Sequence, residues 1–200
     1  MDLHGLDLDE CPESVFTLTE LESLLLRQNN LRCTPESLTI SISPNLALLQ
    51  MLTVLEIGYN ELTVVPPPVF ELRRLESLIL NNNKLTTLDP RIGQLGATLK
   101  TLHLGVNKLT ALPEEIGLLT ALNSLIAPNN EIAALPASIS KLASLDDIFL
   151  RHNTLTAFPV ELFTLPRLSI ISLEDNRIVS LPSPTEIPSK IQILHSVPQE

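Results

Sequence analysis

Leucine and asparagine recur along the chain at fixed distances. The pattern Leu-x-x-Leu-x-Leu-x-x-Asn-x-Leu occurs seven times, with Ile or Ala127 in some of the Leu positions. The seven units begin at Leu21, Leu52, Leu75, Leu99, Leu122, Leu145 and Leu168. From Leu52 onward, successive units start 23, 24, 23, 23 and 23 residues apart, a regularity that chance clustering of leucine does not produce. A partial unit over residues 1–20 precedes them, and another begins at Ile191.

The two halves of each unit predict different elements. Buried and exposed positions alternate around Leu-x-Leu, as in a short strand with one face in the core. The Asn follows where the chain leaves the strand, and its amide can satisfy backbone groups there, so stacked units predict an Asn ladder. Residues 112–119, Leu-Pro-Glu-Glu-Ile-Gly-Leu-Leu, predict a helical or 3-10 turn opened by proline. We therefore expect one α/β solenoid domain over residues 1–200, curved with its parallel sheet on the concave face and its turns on the convex face.

The segment from Leu109 to Leu122 resembles the 23-residue class of intracellular leucine-rich repeats found in Ras-group and related signalling proteins. The resemblance covers nearly the whole chain. It implies a leucine-rich-repeat solenoid that acts as a scaffold or adaptor in signal transduction and binds another protein, for example a small GTPase, through its concave face. The consensus residues are structural, so the partner must be recognised by the variable positions.

Two regions depart from the repeat. The unit that begins at Leu21 is 31 residues long, and the turn composition of residues 41–44 predicts a protruding convex loop over about residues 39–47. The last complete unit loses its convex pattern over residues 183–188. After the partial unit at Ile191, no amphipathic helix covers the last apolar rung, which predicts either self-association through Ile191 and Leu194 or a longer chain. The alternative function is accordingly a regulatory or sensor segment of a larger kinase, cyclase or nucleotide-dependent receptor.

Composition narrows the classes of partner. The formal net charge of -10 opposes binding to nucleic acid or to an anionic membrane surface. Every apolar run is shorter than the roughly 18 to 20 residues that a membrane-spanning helix requires. The N-terminal residues MDLHGLDLDE lack the features of a secretion signal, and two cysteines are too few for the Cys-rich caps of extracellular solenoids. We therefore expect a cytoplasmic protein. Cys11 occupies the Leu position of a Leu-Pro step and is expected to be a buried thiol, whereas Cys33 lies one residue before the equivalent position, and a disulfide between the two is the less favoured alternative.

The sequence carries no motif of a catalytic, cofactor or metal site. The four histidines fall in different units without an adjacent nucleophile, and the glycines are scattered rather than grouped in a phosphate loop. Asp146, Asp147, Glu174 and Asp175 could approach His152 across adjacent strands, but their spacing is that of a solvated acidic edge rather than a cation site. We expect a protein without catalytic activity, cofactor or metal.

The candidate binding site is the concave face. The variable residue between the two inward Leu positions of each unit is Leu25, Glu56, Ile79, His103, Ile126, Phe149 or Ser172, and four of the seven are large and apolar. With neighbours of the types enriched in binding hot spots, the predicted partner-binding residues are Leu25, Arg27, Tyr59, Ile79, His103, Ile126, Phe149, Arg151 and His152. The alternative is that the stems of Arg27 and Arg151 cover these apolar residues, which then bind nothing.

Overall fold

The computed structural model describes residues 1–34 and 41–195. Within these ranges, eight parallel strands form a single sheet in which each strand pairs with the next one along the chain. The strands are β1 (Ser23–Leu25), β2 (Val54–Glu56), β3 (Ser77–Ile79), β4 (Thr101–His103), β5 (Ser124–Ile126), β6 (Asp147–Phe149), β7 (Ile170–Ser172) and β8 (Gln192–Leu194). From β1 to β6 the middle residue is buried between two half-exposed ones, as the alternating pattern predicts.

Short 3-10 turns form the opposite side of the solenoid. In the described part of the chain they are Glu13–Thr17, Pro44–Leu48, Pro67–Glu71, Pro90–Leu95, Glu114–Leu118, Ala137–Lys141 and Val160–Thr164. A proline begins three of these turns and immediately precedes others, because its fixed φ suits the first residues of a helical turn. The turn Pro90–Leu95 has six residues where the others have five, and this accommodates the extra residue of its unit.

The core between the sheet and the turns is almost entirely aliphatic. The strand register aligns one inward residue from each strand, and this column is fully buried from β1 to β7. Its members are Leu24, Leu55, Leu78, Leu102, Leu125, Ile148 and Ile171. Each side chain of this size contributes about 1.5–3 kcal/mol when it is fully removed from water. The predicted α/β solenoid is confirmed, and hydrophobic burial between successive units holds it together.

The Asn ladder links each unit to the one before it. The Oδ1 atom of Asn107 accepts a hydrogen bond of 3.0 Å from the backbone N–H of Leu85 in the preceding unit. Its Nδ2 atom donates to the carbonyl oxygens of Leu80 in that unit, at 3.1 Å, and of Leu104 in its own unit, at 3.0 Å. The Oδ1 atoms of Asn60, Asn83, Asn130, Asn153 and Asn176 accept the equivalent bond, also at 3.0 Å. These amides satisfy backbone groups that have no partner in a strand.

The N-terminal partial unit extends the sheet beyond β1. The backbone N–H of Leu25 donates to the carbonyl of Met1, and the N–H groups of Leu3 and Gly5 donate to the carbonyls of Leu25 and Arg27. The 3-10 turn Glu13–Thr17 completes the unit with its own buried residues. Residues 1–5 therefore cover the backbone groups of β1 that would otherwise form an open sheet edge.

Both cysteines are buried free thiols, as the sequence predicts for Cys11. Burial and, to a smaller extent, the nearby carboxylate of Glu13 raise the pKa of Cys11 to about 12. Burial also raises the pKa of Cys33 above its ordinary value. Both therefore stay protonated at neutral pH and serve as small apolar core residues.

The predicted loop over about residues 39–47 needs a correction. Residues 39 and 40 lie outside the described residues, but residues 44–47 belong to the regular turn Pro44–Leu48. The side chains of Ile42 and Leu46 are fully buried, so this segment does not protrude. Twelve residues separate Leu31 from Pro44, whereas four separate Leu62 from Pro67, so the additional residues of the unit precede Pro44.

The last unit is shortened by one residue. Ile191 keeps the position of the opening Leu, because it is 8% exposed and its N–H donates to the carbonyl of Pro188. Strand β8 then pairs Ile193 with Ile171 and Leu194 with Ser172. The prediction that Leu194 occupies the inward position was therefore wrong, and Ile193 packs against the core instead.

Candidate functional site

The concave face, which is the solvent side of the sheet, carries three rows of side chains. The register aligns the third residues of the strands into a central row of Leu25, Glu56, Ile79, His103, Ile126, Phe149, Ser172 and Leu194. The first residues form an upstream row of Ser23, Val54, Ser77, Thr101, Ser124, Asp147, Ile170 and Gln192. A downstream row lies two residues beyond the central one and contains Arg27, Gly58, Asn81, Gly105, Pro128, Arg151 and Glu174.

The structure brings most of the predicted binding residues into one surface. Ile79, His103, Ile126 and Phe149 are consecutive in the central row and are all half-buried. At the 4.8 Å spacing of neighbouring strands they span about 14 Å. Arg151 and His152 lie at the exposed end of β6. Tyr59, with half of its surface exposed, lies beyond the end of β2.

The structure separates Leu25 and Arg27 from this group. Glu56 lies between Leu25 and Ile79 in the central row. The guanidinium of Arg27 is 3.7 Å from the carboxylate of Glu56, and its Nε donates to Nδ1 of His4 at 3.2 Å. These contacts give Arg27 partners within the chain at the N-terminal end of the face.

The centre of the concave face carries no permanent charge. Its nine residues lie on β3, β4 and β5 or two positions beyond their ends, and they are Ser77, Ile79, Asn81, Thr101, His103, Gly105, Ser124, Ile126 and Pro128. Burial lowers the pKa of His103 below its ordinary value, so the imidazole is neutral at pH 7. An uncharged surface is cheaper to remove from water than a charged one, so this centre is suited to burial under a partner.

Gly105 and Pro128 belong to this candidate surface, although the sequence pattern did not single them out. A Cβ atom at Gly105 would lie 3.0 Å from Nε2 of His103 and 3.1 Å from Cδ of Pro128. The imidazole therefore lies beside the glycine, and a larger residue there would displace it. The sequence could have indicated both residues, because each follows a central-row residue by two positions. Only the register of the strands shows that they are neighbours.

A polar border closes the C-terminal side of this centre. Nη2 of Arg151 lies 3.0 Å from Nε2 of His152, and Nδ1 of His152 lies 3.3 Å from the carboxylate of Asp175. Asp147 accepts a hydrogen bond from Ser124, and Asp146 pairs with Arg167 at 3.0 Å. The acidic residues near His152 thus have separate partners, and in the part of the chain described here no group of three or more His, Cys, Asp or Glu side chains is arranged to hold a metal ion.

The residue before each ladder Asn has a left-handed backbone. Its φ lies between 52° and 55° in every unit. These residues are Gln28, Tyr59, Asn82, Val106, Asn129, His152 and Asp175. Asn and Asp tolerate this conformation, whereas a β-branched residue is strained there. Val106 is therefore the member of this column whose backbone conformation is least favourable.

Replacing Val106 by Asn is expected to raise the free energy of unfolding by about 1 kcal/mol, because Asn relieves this strain. For a domain of this size the Tm should rise by about 2–4 °C in a thermal melt. Val179→Asn is the matched control, because Val179 is 88% exposed and its φ is outside the left-handed region. Equal Tm values for the two variants would contradict the strain at Val106.

The comparisons with known sequences identify the repeat. The family profile described as Leucine rich repeat matches residues 50–109 and, overlapping them, residues 73–132. The chain is 31% identical over 88 residues to the volume-regulated anion channel subunit LRRC8D of Rattus norvegicus, which is 44% of this chain and 10% of the relative. It is 35% identical over 89 residues to the Ras guanine nucleotide exchange factor V of Dictyostelium discoideum, 41% of this chain and 4% of the relative. The chain therefore spans a tenth or less of these curated relatives.

Solved structures share the fold over almost the whole chain. An internalin of Listeria monocytogenes has a TM-score of 0.77 at 25% sequence identity. The match covers 96% of this chain and 52% of the internalin chain. The plant peptide hormone receptor RGFR1 in complex with RGF2 has a TM-score of 0.74 at 27% sequence identity. The match covers 94% of this chain and 30% of the receptor chain. A leucine-rich-repeat protein of Leptospira interrogans has a TM-score of 0.61 at 28% sequence identity. The match covers 94% of this chain and 57% of the Leptospira chain.

Stacked parallel strands, 3-10 turns and an Asn ladder define the class of the leucine-rich-repeat solenoid, whose members are typically non-catalytic protein-interaction modules. The chain is a leucine-rich-repeat protein. Assignment to the 23-residue class stays a prediction. No helix in the described ranges is both long and apolar enough to span a membrane.

Proposed function

We propose that this chain is a non-catalytic scaffold or adaptor that binds a signalling protein through its concave face. The observation that carries the proposal is the uncharged centre, where Ile79 and Ile126 present apolar surface between small polar neighbours, continued by Phe149 on the adjacent strand β6. Tyr59 and Arg151 at its margins are of the residue types enriched in binding hot spots. Arg151 has no carboxylate partner among the described residues, so it is available to a partner's acidic group.

We further propose a small GTPase as the class of partner and the cytoplasm as the compartment. Similarity to an exchange factor for Ras in Dictyostelium discoideum supports the class of partner. The two buried protonated thiols support a reducing compartment. A second candidate is a regulatory segment of a larger protein, which the length of the curated relatives favours. An immunoblot of the native protein distinguishes the two, because the second candidate predicts a mass well above 22.0 kDa.

Truncating the concave face should abolish capture of the partner. We expect a variant with Tyr59→Ala, Ile126→Ala and Phe149→Ala to retain less than a tenth of the partner, because each truncated hot spot costs about 1–2 kcal/mol of binding. The measurement is quantitative affinity capture from lysate with each purified variant as bait. Circular dichroism first verifies that the variant is folded.

The control truncates three exposed apolar residues that lie on the convex side. Leu18, Leu48 and Leu118 are 47%, 55% and 54% exposed, compared with 50% for Tyr59. This control should capture the partner at the level of the unmodified chain. Undiminished capture by the concave variant would overturn the binding surface. If no small GTPase is captured from lysates loaded with either GDP or a GTP analogue, the proposed class of partner is rejected while the surface stands.

A further inference from the structure

The C-terminal end of the solenoid contains an apolar cavity away from the concave face. Its volume is about 490 Å³, and Phe158, Val160, Phe163, Leu181, Pro182 and Glu186 are among the residues that line it. The rings of Phe158 and Phe163 lie with their centroids 5.1 Å apart. A cavity of this size is within the range that holds a small ligand or a large side chain.

The cavity is open because the last complete unit has no regular turn. In earlier units the residue at the position of Leu181 is more covered: Leu88 and Leu112 are both 4% exposed, and Leu135 is partly buried. The equivalent Leu181 is 39% exposed. An irregular turn over residues 184–187 stands where the other units have a 3-10 turn, and it leaves the ring of Phe163 only partly buried.

The chain itself shows what covers a phenylalanine at this position. Phe70 is the fourth residue of the turn Pro67–Glu71, as Phe163 is of the turn Val160–Thr164. In the next unit, the guanidinium of Arg91 lies 5.2 Å from the centroid of the Phe70 ring, and Asp89 holds it with a 2.7 Å ion pair. With this cover Phe70 is 3% exposed. In this fold, three groups together form this contact: the aromatic ring, a guanidinium stacked on it and a carboxylate that pairs with the guanidinium.

At Phe163 the ring and a carboxylate are present without the cation. Arg91 immediately precedes the buried Ile92, and in the last unit Glu186 immediately precedes the partly buried Ile187. Oε2 of Glu186 accepts a 2.7 Å hydrogen bond from the backbone N–H of Ser183. No lysine or arginine in residues 1–34 or 41–195 forms an ion pair with Glu186.

Two basic residues near this end of the chain, Arg167 and Lys190, have partners elsewhere. Arg167 pairs with Asp146, and Nζ of Lys190 donates to the carbonyls of Leu165 and Pro166 at 2.8 and 2.7 Å. A second cavity of about 200 Å³ shares Phe158 with the first and has Glu161 on its rim. The cavities therefore offer apolar walls, aromatic rings and carboxylates, a combination that complements a positively charged side chain with an aliphatic stem.

We propose that this cavity binds an arginine side chain of a protein partner. The guanidinium packs against the ring of Phe163 and donates to Glu186, while the aliphatic stem contacts Val160 and Leu181. This intermolecular contact has the same three groups as the contact that Arg91, Phe70 and Asp89 make within the chain. This docking site shares none of the concave-face residues, so its test does not depend on whether the concave face binds a partner.

Titration of the isotopically labelled chain with the peptide acetyl-Leu-Arg-Leu-amide, followed by NMR, tests the proposal. We expect shifts confined to residues 156–163 and 180–187, and an affinity at least about fivefold higher than for the citrulline peptide, which has the same shape without the charge. Glu186→Gln and Phe163→Leu should each reduce the affinity about threefold to fivefold. Glu131→Gln, an exposed carboxylate outside the cavity, should leave it unchanged.

Three results would overturn the assignment. They are equal binding of the arginine and citrulline peptides, binding that Glu186→Gln does not weaken, and an absence of shifts at these residues up to about 10 mM peptide. Because Glu186 is exposed, the glutamine variant is expected to fold like the parent chain. The test is therefore decisive even if Phe163→Leu perturbs packing.

Discussion

Replacing Asn107 by Ala is expected to lower the free energy of unfolding by about 3–5 kcal/mol. The substitution leaves the backbone N–H of Leu85 and the carbonyls of Leu80 and Leu104 without their side-chain partner in the core. Each buried polar group left unsatisfied costs about 1–3 kcal/mol. Because two of the three groups belong to the preceding unit, the loss should loosen the contact between units as well as the turn itself. Denaturation in urea measures the change.

Asn30→Ala is the matched control for the ladder. Asn30 follows the ladder residue Asn29 directly but is exposed, and its side chain makes one hydrogen bond of 3.3 Å to the carbonyl of Asp7. Its replacement should change the free energy of unfolding by less than about 0.5 kcal/mol. If Asn107→Ala were as stable as Asn30→Ala, the ladder would be a consequence of the fold rather than one of its causes.

Replacing Gly96 by Ala is expected to destabilise the chain by about 2–4 kcal/mol, although local backbone preference predicts the opposite. Gly96 has φ -57° and ψ -31°, a conformation in which Ala is normally favoured over Gly by about 0.4–1 kcal/mol. A Cβ atom there would lie 2.2 Å from the carbonyl oxygen of Leu118 and 3.0 Å from its carbonyl carbon. Both are backbone atoms of the next convex turn, so the two units would have to separate.

Gly93→Ala serves as the control for this steric effect, because Gly93 lies in the same turn. Its nearest obstacle is Cδ1 of Leu118 at 2.8 Å, the mobile end of a side chain that is 54% exposed and can rotate away. We expect a change within about 1 kcal/mol in the same urea experiment. Equal losses for the two glycines would show that helix geometry, and not close approach of the turns, limits this position.

These predictions separate stability from recognition. Asn107 and Gly96 act between neighbouring units, whereas the residues proposed to bind partners lie on surfaces that the stacking leaves exposed. In a solenoid each unit contacts mainly the units beside it, so a defect at one interface should propagate little to distant units. The concave face and the Phe163 cavity can therefore be altered individually without loss of the fold.

Most of the architecture was predictable because each unit repeats the same solution. The columns of Leu and Asn predicted the strands, the sheet order and the ladder, since identical units stack in register. Ile79, His103, Ile126 and Phe149 were predicted correctly as neighbours on one face for the same reason. The pattern could not show that Arg27 is neutralised by Glu56, because side-chain pairing across strands depends on conformation rather than periodicity.

The sequence alone determined the solenoid, its inward columns and the identity of the variable face, because hydrophobic periodicity dictates which side chains are buried. Only the tertiary structure decided where the repeat is interrupted, as at Pro44 and at Ile193, because an irregular unit has no second copy to define its register. It also decided that Val106 is strained, that Gly96 touches the neighbouring turn and that Phe163 faces an unfilled cavity. Each of these depends on distances between residues that lie in different units, and a one-dimensional pattern does not contain them.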